Sequence, residues 1–348
     1  YGFANDQLNG GLAVDYSVWS VKGGRNVFQF QEPPPIAPFL NTSYTLFDGR
    51  NFARFYQKAY LTAAYSGDEW GNGWFPRLLV SFEERQPLSN NTAYTFAETE
   101  SYASNIPEHP YFSSNGNGNG NNTSIRQNFT NHQALLIEAG MRFKPGLEYM
   151  RIKGEKVNMG TSYPTLSLNY RKAVGGIGSG SAEYDYVEAG IKGDADFKLL
   201  GQLDYQASAG QFISQERVPF MDYRHFQGHE VRFQPQSVQD FQLLSYYEQS
   251  TTAPFLEAHI KHDFSGFIWN KLPLARRLPW QVTGVGHTLQ QEHTFYAEWG
   301  VGLTDLIGVA GTRFLGFYYF QGHRVGPAGL STSSDGFRIT LKGLFGQL

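Results

Sequence analysis

Residues 134–143 read Ala-Leu-Leu-Ile-Glu-Ala-Gly-Met-Arg-Phe. In an extended chain, successive side chains point to opposite faces. Leu135, Ile137, Ala139, Met141 and Phe143 then form one apolar row, and Leu136, Glu138, Gly140 and Arg142 form a mostly wet one. One such segment fits any half-buried sheet. Its recurrence decides the fold class.

The same alternation returns in about a dozen segments, and no stretch of that length shows a helical period. Leu8, Gly10, Leu12, Val14, Tyr16 and Val18 form the first row, and Trp74, Leu78, Val80 and Phe82 the next. Leu166, Leu168 and Tyr170 follow, then Val187, Ala189, Ile191 and Ala195, then Leu203, Tyr205, Ala207 and Ala209. Leu256, Ala258, Ile260 and Phe264 repeat it, as do Phe295, Ala297, Trp299, Val301 and Leu303, and finally Phe337, Ile339, Leu341 and Phe345. Weaker candidates lie at 25–31, 52–66, 147–153, 241–250, 280–288 and 312–320. The sum predicts an all-β chain whose antiparallel strands, about 14–16 in number, suit a transmembrane β-barrel over residues 1–348.

Composition narrows the classes. Of 348 residues, 17% are charged and 16% aromatic, and the net charge is −3. Soluble domains carry about 25% charged residues. No apolar run approaches the roughly 18 residues of a spanning helix, whereas barrel strands need only about 9–11 residues with one apolar face. A mean hydropathy of −0.41 is compatible with such a barrel. The absence of cysteine removes disulfides and thiolate metal sites. The charge gives no reason to expect nucleic acid. The chain opens at Tyr1 in a strand-like region with no leader pattern, which predicts that residues precede it.

Connections fall into two lengths. Lys144-Pro145-Gly146, Leu199-Leu200-Gly201 and Leu303-Thr304-Asp305 read as tight turns. Residues 31–51, 86–131 and 211–240 read as long loops, and Ser113–Ser124 is nearly all Asn, Gly and Ser. Short turns at one rim and long loops at the other are the barrel asymmetry. A soluble sandwich would also alternate. The balance tilts to the membrane because the apolar rows are small in mid-strand with aromatics at their ends, and because strands of about 10–14 residues exceed the soluble mode of about 5–6.

Several stretches resemble a known family. They are Phe241–Thr251, Phe255–Phe264, Phe267–Leu274, Tyr1-Gly2-Phe3, Val27–Phe30, Glu84–Leu88 with Asn91-Thr92, His225–Gly228 and Tyr296–Leu303. Together they resemble a family of Bacteroidota outer-membrane barrels of unknown function. Its members typically carry an N-terminal carboxypeptidase-regulatory-like Ig-type domain. That family is distantly similar to the surface-antigen superfamily of outer-membrane assembly and secretion barrels, in which a long loop folds into the lumen. The resemblance implies a bacterial outer-membrane location, contact with lipid or lipopolysaccharide, and protein partners in an envelope complex. It implies no cofactor.

The candidate functional residues are lumen or plug residues. Arg224, His225, Phe226, Gly228, His229, Glu230 and Arg232 cluster in the 211–240 loop, which is either an internal plug or a solvated external loop. Glu257, His259, Lys261 and Asp263 share one strand face, expected to be an ionic lumen network. His262, three residues from His259, falls on the opposite face, so the two cannot chelate one metal. Glu298, Arg338 and Lys342 are expected to project inward, with Glu298 pairing Arg338. Gly175–Gly180 reads as a loop, and no nucleophile elbow, phosphate loop or dinucleotide fingerprint is present. No catalytic, cofactor or metal residue is assigned. Envelope assembly or protein translocation is the expected role, with a passive channel or transporter as the alternative and a barrel enzyme last.

Overall fold

The computed structural model describes residues 8–67, 70–89, 94–97, 102, 104–107, 129–152, 155–178, 180–234, 240–264, 266–268, 280–306, 308–309, 312–313, 315–326 and 329–341. Tyr1-Gly2-Phe3, Asn91-Thr92, the Ser113–Ser124 run, Lys271–Leu274, Lys342 and Phe345 lie outside the described residues.

Among these residues the fold is all-β around one large antiparallel sheet. Its elements in chain order are β1 (Gly10–Tyr16), β2 (Trp19–Gln29), α1 (Pro38–Asp48), β3 (Phe55–Ser66), β4 (Trp74–Pro87), β5 (His132–Phe143), β6 (Glu148–Ile152), β7 (Glu155–Gly160), β8 (Thr165–Ala173), β9 (Glu183–Asp196), β10 (Gln202–Arg217), β11 (Phe233–Gln234), β12 (Phe255–Asp263), β13 (Gln281–Gln291), β14 (Phe295–Thr304), β15 (Gly308–Val309), β16 (Thr312–Arg313), β17 (Leu315–Val325) and β18 (Ser331–Leu341). The sheet has 14 strands in the order β1-β2-β3-β4-β5-β8-β9-β10-β12-β13-β14-β17-β18-β11. Every long strand thus pairs antiparallel with the next long strand in sequence. The two-residue β11 alone runs parallel, against β18. The described ladder contains no pairing of β1 with β18.

The alternation read from residues 134–143 holds in space, with an inverted sense for a soluble protein. The apolar row is the exposed one: Leu78, Val80 and Phe82 on β4, Leu166 and Leu168 on β8, Leu256 and Ile260 on β12, and Trp299 and Val301 on β14. The opposite row is buried although it is polar: Ser81, Glu83 and Arg85 on β4, Glu257 and His259 on β12, Thr283 and His287 on β13, Glu298 on β14 and Arg338 on β18. We call that second face inner. Aromatic pairs close several exposed rows at one rim, with Trp74 stacked on Phe143 at 4.2 Å and Trp19 against Tyr65 at 4.9 Å.

What buries the inner face is the chain between β10 and β12. Phe220, Phe226, Val231, Phe241, Leu244, Tyr246 and Tyr247 from this segment join the two principal core clusters with Leu136, Tyr184, Phe212, Leu289 and Tyr296 from the strands. The segment bonds side chains on β4, β12, β14, β17 and β18. A sheet that touches one short segment from so many strands must curve around it. In β17, Tyr318 and Phe320 lie inward opposite Gly302 and Gly300. A Cβ at either glycine would meet those rings at 2.2 and 2.4 Å, so bare backbone makes the room they occupy.

Three local expectations are corrected. Lys144-Pro145-Gly146 does turn the chain tightly, but into the β6–β7 hairpin, which stands between β5 and its sheet partner β8. Leu303-Thr304-Asp305 is likewise followed by the small β15–β16 hairpin. Residues 241–250 form no strand, because their backbone groups are taken by inward side chains and turns. The 31–51 loop holds helix α1, which starts at Pro38 and ends on Gly49 in the left-handed region at φ 67°. Its Thr42 and Thr45 hide a helical period. The buried Asn41 ties it down by accepting the backbone N–H groups of Phe52 and Ala53 at 3.0 and 2.9 Å.

Candidate functional site

The candidate site is the interface between the inner face and the described residues of the 218–254 segment, 218–234 and 240–254. Strand β10 runs to Arg217, so this insert begins later and ends later than the expected 211–240 loop. It is an interior element and not a solvated external loop, because Phe220, Phe226 and Phe241 are each at most 2% exposed.

Three anchorages hold it. At β4, Arg85 donates to both carboxylate oxygens of Asp222, at 2.6 and 2.9 Å. Arg85 also donates to Glu83 at 2.8 Å, and Glu83 accepts from Lys58 at 3.1 Å. Glu83, Arg85 and Asp222 are buried, and Arg85 meets Asp222 in a two-point fork geometry.

At the centre, Arg224 donates to Glu257 at 2.8 Å and lies 3.7 Å from Glu188. Burial alone would lower the Arg224 pKa, but those two carboxylates hold it above its ordinary value. The guanidinium also sits over the rings of Phe226 and Phe255, at 5.5 and 5.2 Å. His225 hydrogen-bonds the Ser250 hydroxyl at 2.7 Å, tying the two ends of the insert.

On β12–β18, Glu298 accepts the backbone N–H of Gln242 and that of Leu243, the latter at 2.9 Å, and the Tyr296 hydroxyl at 2.5 Å. Arg338 donates to the Gln242 carbonyl and, at 3.2 Å, to the His229 carbonyl. The expected Glu298–Arg338 ion pair is therefore corrected: the two meet through one peptide unit. Two stretches of the insert meet here, with Phe241 N–H donating to Gln227 O at 3.0 Å and His229 N–H to Leu244 O at 2.9 Å. Between them, Gly228 allows the approach, since a Cβ there would stand 2.3 Å from the Leu244 carbonyl oxygen.

Beneath this grip runs a row of buried titratable side chains. Glu257 Oε1 lies 2.8 Å from His259 Nε2, and His259 Nδ1 lies 2.8 Å from His287 Nδ1. His287 Nε2 stands 4.0 Å from Glu298 Oε1. Phe241 presents its ring across both imidazoles, at 4.8 and 5.8 Å. Farther along β12, Lys261 pairs with Asp263 and sits 3.7 Å from Asp204. His262 faces the other way, bonding the Leu200 carbonyl at 2.9 Å and touching the Phe264 ring. Within the insert, burial and the nearby Arg338 lower the His229 pKa to about 3, and burial raises that of Asp240.

The insert leaves two adjoining cavities of about 380 and 360 Å³, which meet at Glu188, Arg224 and His225. Every assigned candidate from Arg224 to Arg338 thus converges on the insert, except that Glu257 and His259 serve it from beneath. His287, Asp222 and Gln242 escaped the sequence reading. The even spacing of Thr283, Val285, His287 and Leu289 is the one signal that would have put His287 on a buried row. Among the described residues no group of three or more His, Cys, Asp or Glu side chains could hold a metal ion.

Comparison with protein families matches residues 1–303 to the C-terminal domain of a family of unknown function, DUF5686. No curated protein and no solved structure is similar enough to match.

Proposed function

The chain belongs to the DUF5686 C-terminal-domain family, and we propose that it is an outer-membrane β-barrel, closed inside by its own insert, that works in envelope assembly, protein translocation or an outer-membrane complex. One observation carries the membrane part. The sheet exposes its aliphatic and aromatic row and buries its ionic row. In water each exposed Leu or Ile forgoes roughly 1.5–3 kcal/mol of burial, and such rows on neighbouring strands add up to a patch far beyond those of soluble monomers. Acyl chains make the same surface favourable. Lipid, lipopolysaccharide among it, is then the outer partner.

The insert favours a gated or assembly role over a passive channel. It is anchored by carboxylates and guanidiniums on at least five strands, and it fills the inner face with aromatic rings. The charged side chains of the interior are engaged in holding it, and no reaction is proposed for them.

Purification tests the reading. The protein should require detergent to stay in solution, should be electrically silent at rest in a planar bilayer, and should retain envelope proteins in mild detergent. Stable monomers in plain buffer would end the membrane proposal. Steady conductance in the untreated protein would favour the channel instead.

A further inference from the structure

His259 and His287 stand directly opposite each other on the adjacent strands β12 and β13. Both are buried, and their Nδ1 atoms are 2.8 Å apart. We propose that this pair is a proton-operated latch on the insert: it seats Phe241 near neutral pH, and uptake of a second extra proton releases the segment from Phe241 to Leu243.

The argument is a count of protons. One imidazole nitrogen can donate to another only if the second is bare. Two neutral rings meet that condition, and so do one neutral and one charged ring. Two charged rings do not, because each Nδ1 then carries a hydrogen aimed at the other. Like charges directly opposite on neighbouring strands repel, and here they do so out of water.

The surroundings set the order of events. On β12, His259 Nε2 donates to Glu257, so its Nδ1 is the bare nitrogen that accepts from His287. On β14, Glu298 stands 4.0 Å from His287 Nε2 and favours the first extra proton on that side. Tyr296 on β14 already donates to Glu298. Lys261 farther along β12, Lys192 on β9, Arg224 in the insert and Arg338 on β18 oppose further positive charge, while Glu188 on β9 and Asp240 in the insert favour it. The singly charged pair is therefore tolerated, and the doubly charged pair must separate. The Phe241 ring rests across both imidazoles, and the amides of Gln242 and Leu243 follow it in sequence onto Glu298. Separation of the rings removes the seat.

Hydrogen exchange of the Gln242 and Leu243 amides in the reconstituted full chain reads the latch directly. After correction for intrinsic exchange, their protection should fall about tenfold or more between about pH 7.5 and about pH 5 in the wild type. It should stay level in the double variant His259→Gln, His287→Gln, whose amides share one hydrogen bond at every pH. The fall should persist in His229→Gln, which removes an imidazole of the insert itself. Level protection in the wild type, or an undiminished fall in the double variant, overturns the proposal. Should the double variant not fold, imidazole NMR titration of the wild type decides. Two coupled steps over this range support the latch, and a pair that takes up no second proton refutes it. Silence of these amides would leave the outer-membrane reading intact, since that reading fails on solubility.

Discussion

Glu298 and Arg338 hold the same peptide unit from opposite ends: Arg338 donates to the C=O of Gln242, and Glu298 accepts the N–H of Leu243 that follows it, at 2.9 Å. One side chain comes from β14 and the other from β18, so the grip spans β17 between them. Both are buried, at 3% and 8% exposure. A buried polar group left without its partner costs about 1–3 kcal/mol, and more when charged. Arg338→Met should therefore raise amide exchange across residues 241–244 while leaving exchange in β4 and β5 unchanged. Equal loosening of all strands would show that Arg338 acts on the whole sheet and not on the insert.

Arg85 and Asp222 make the second grip. Each is under 5% exposed; removing Arg85 leaves the Asp222 carboxylate buried without its counter-ion, and removing Asp222 leaves Arg85 with Glu83 alone. Arg85→Met or Asp222→Leu alone should destabilise by about 3–5 kcal/mol, and the two together should recover much of that. Urea unfolding of the reconstituted protein gives the double-mutant cycle. Additive losses would mean that the two residues do not depend on each other.

Gly228 tests close approach. Gly228→Ala places a methyl group 2.3 Å from the Leu244 carbonyl oxygen, and a backbone atom cannot swing aside as a side chain can. The expected cost is about 1–3 kcal/mol, concentrated in the insert. Limited proteolysis after residues 224 and 232 should accelerate in the variant, and an unchanged cleavage rate would contradict the geometry.

The exposed apolar rows test the environment. Leu168 is 53% exposed on the outer face of β8. In a bilayer, Leu168→Arg should cost about 2–4 kcal/mol near the midplane. On a wetted surface the same change would fall within about 0.5 kcal/mol. Refolding into vesicles against urea separates the two.

His229 adds a pH dependence with a definite sign. Burial and Arg338 depress its folded pKa to about 3, below the unfolded value of about 6.5. Between those values the unfolded chain binds the additional proton, so stability rises with pH. Its share is fully present above about pH 6.5 and is lost progressively as pH falls toward 3. His229→Gln should shift the acid midpoint of insert release to lower pH. A shift upward would reverse the assignment.

The strands were legible where one row was consistently apolar. In β4, β8, β12 and β14 the rows read from the sequence are the rows observed, because period 2 survives whichever medium the apolar side meets. Residues 241–250 misread because Phe241, Leu243 and Tyr247 alternate like a strand, while Glu298 takes the amides of Gln242 and Leu243 and the Gln227 carbonyl takes that of Phe241. Helix α1 was hidden by threonines and held by a single asparagine whose partners lie past its own end. In the site, Arg224, Gly228, Glu257, His259, Glu298 and Arg338 were found by residue type and face. Their partners were not, since Asp222 lies 137 residues from Arg85, and a pairing over that distance leaves no local trace.

The insert precedes most of its own supports in the chain. Residues 218–254 leave the ribosome before β12, β14 and β18, yet Glu257, Glu298 and Arg338 come from those strands, and β11 lies along Ile339 and Thr340 near the end of the described chain. Synthesis runs from the N-terminus, so a nascent polypeptide cut short after β13 would already hold the whole insert but lack two of the clamps that position it. The insert can be locked only when the last of these strands is in place, which makes its locking a built-in report that the sheet around it has been completed.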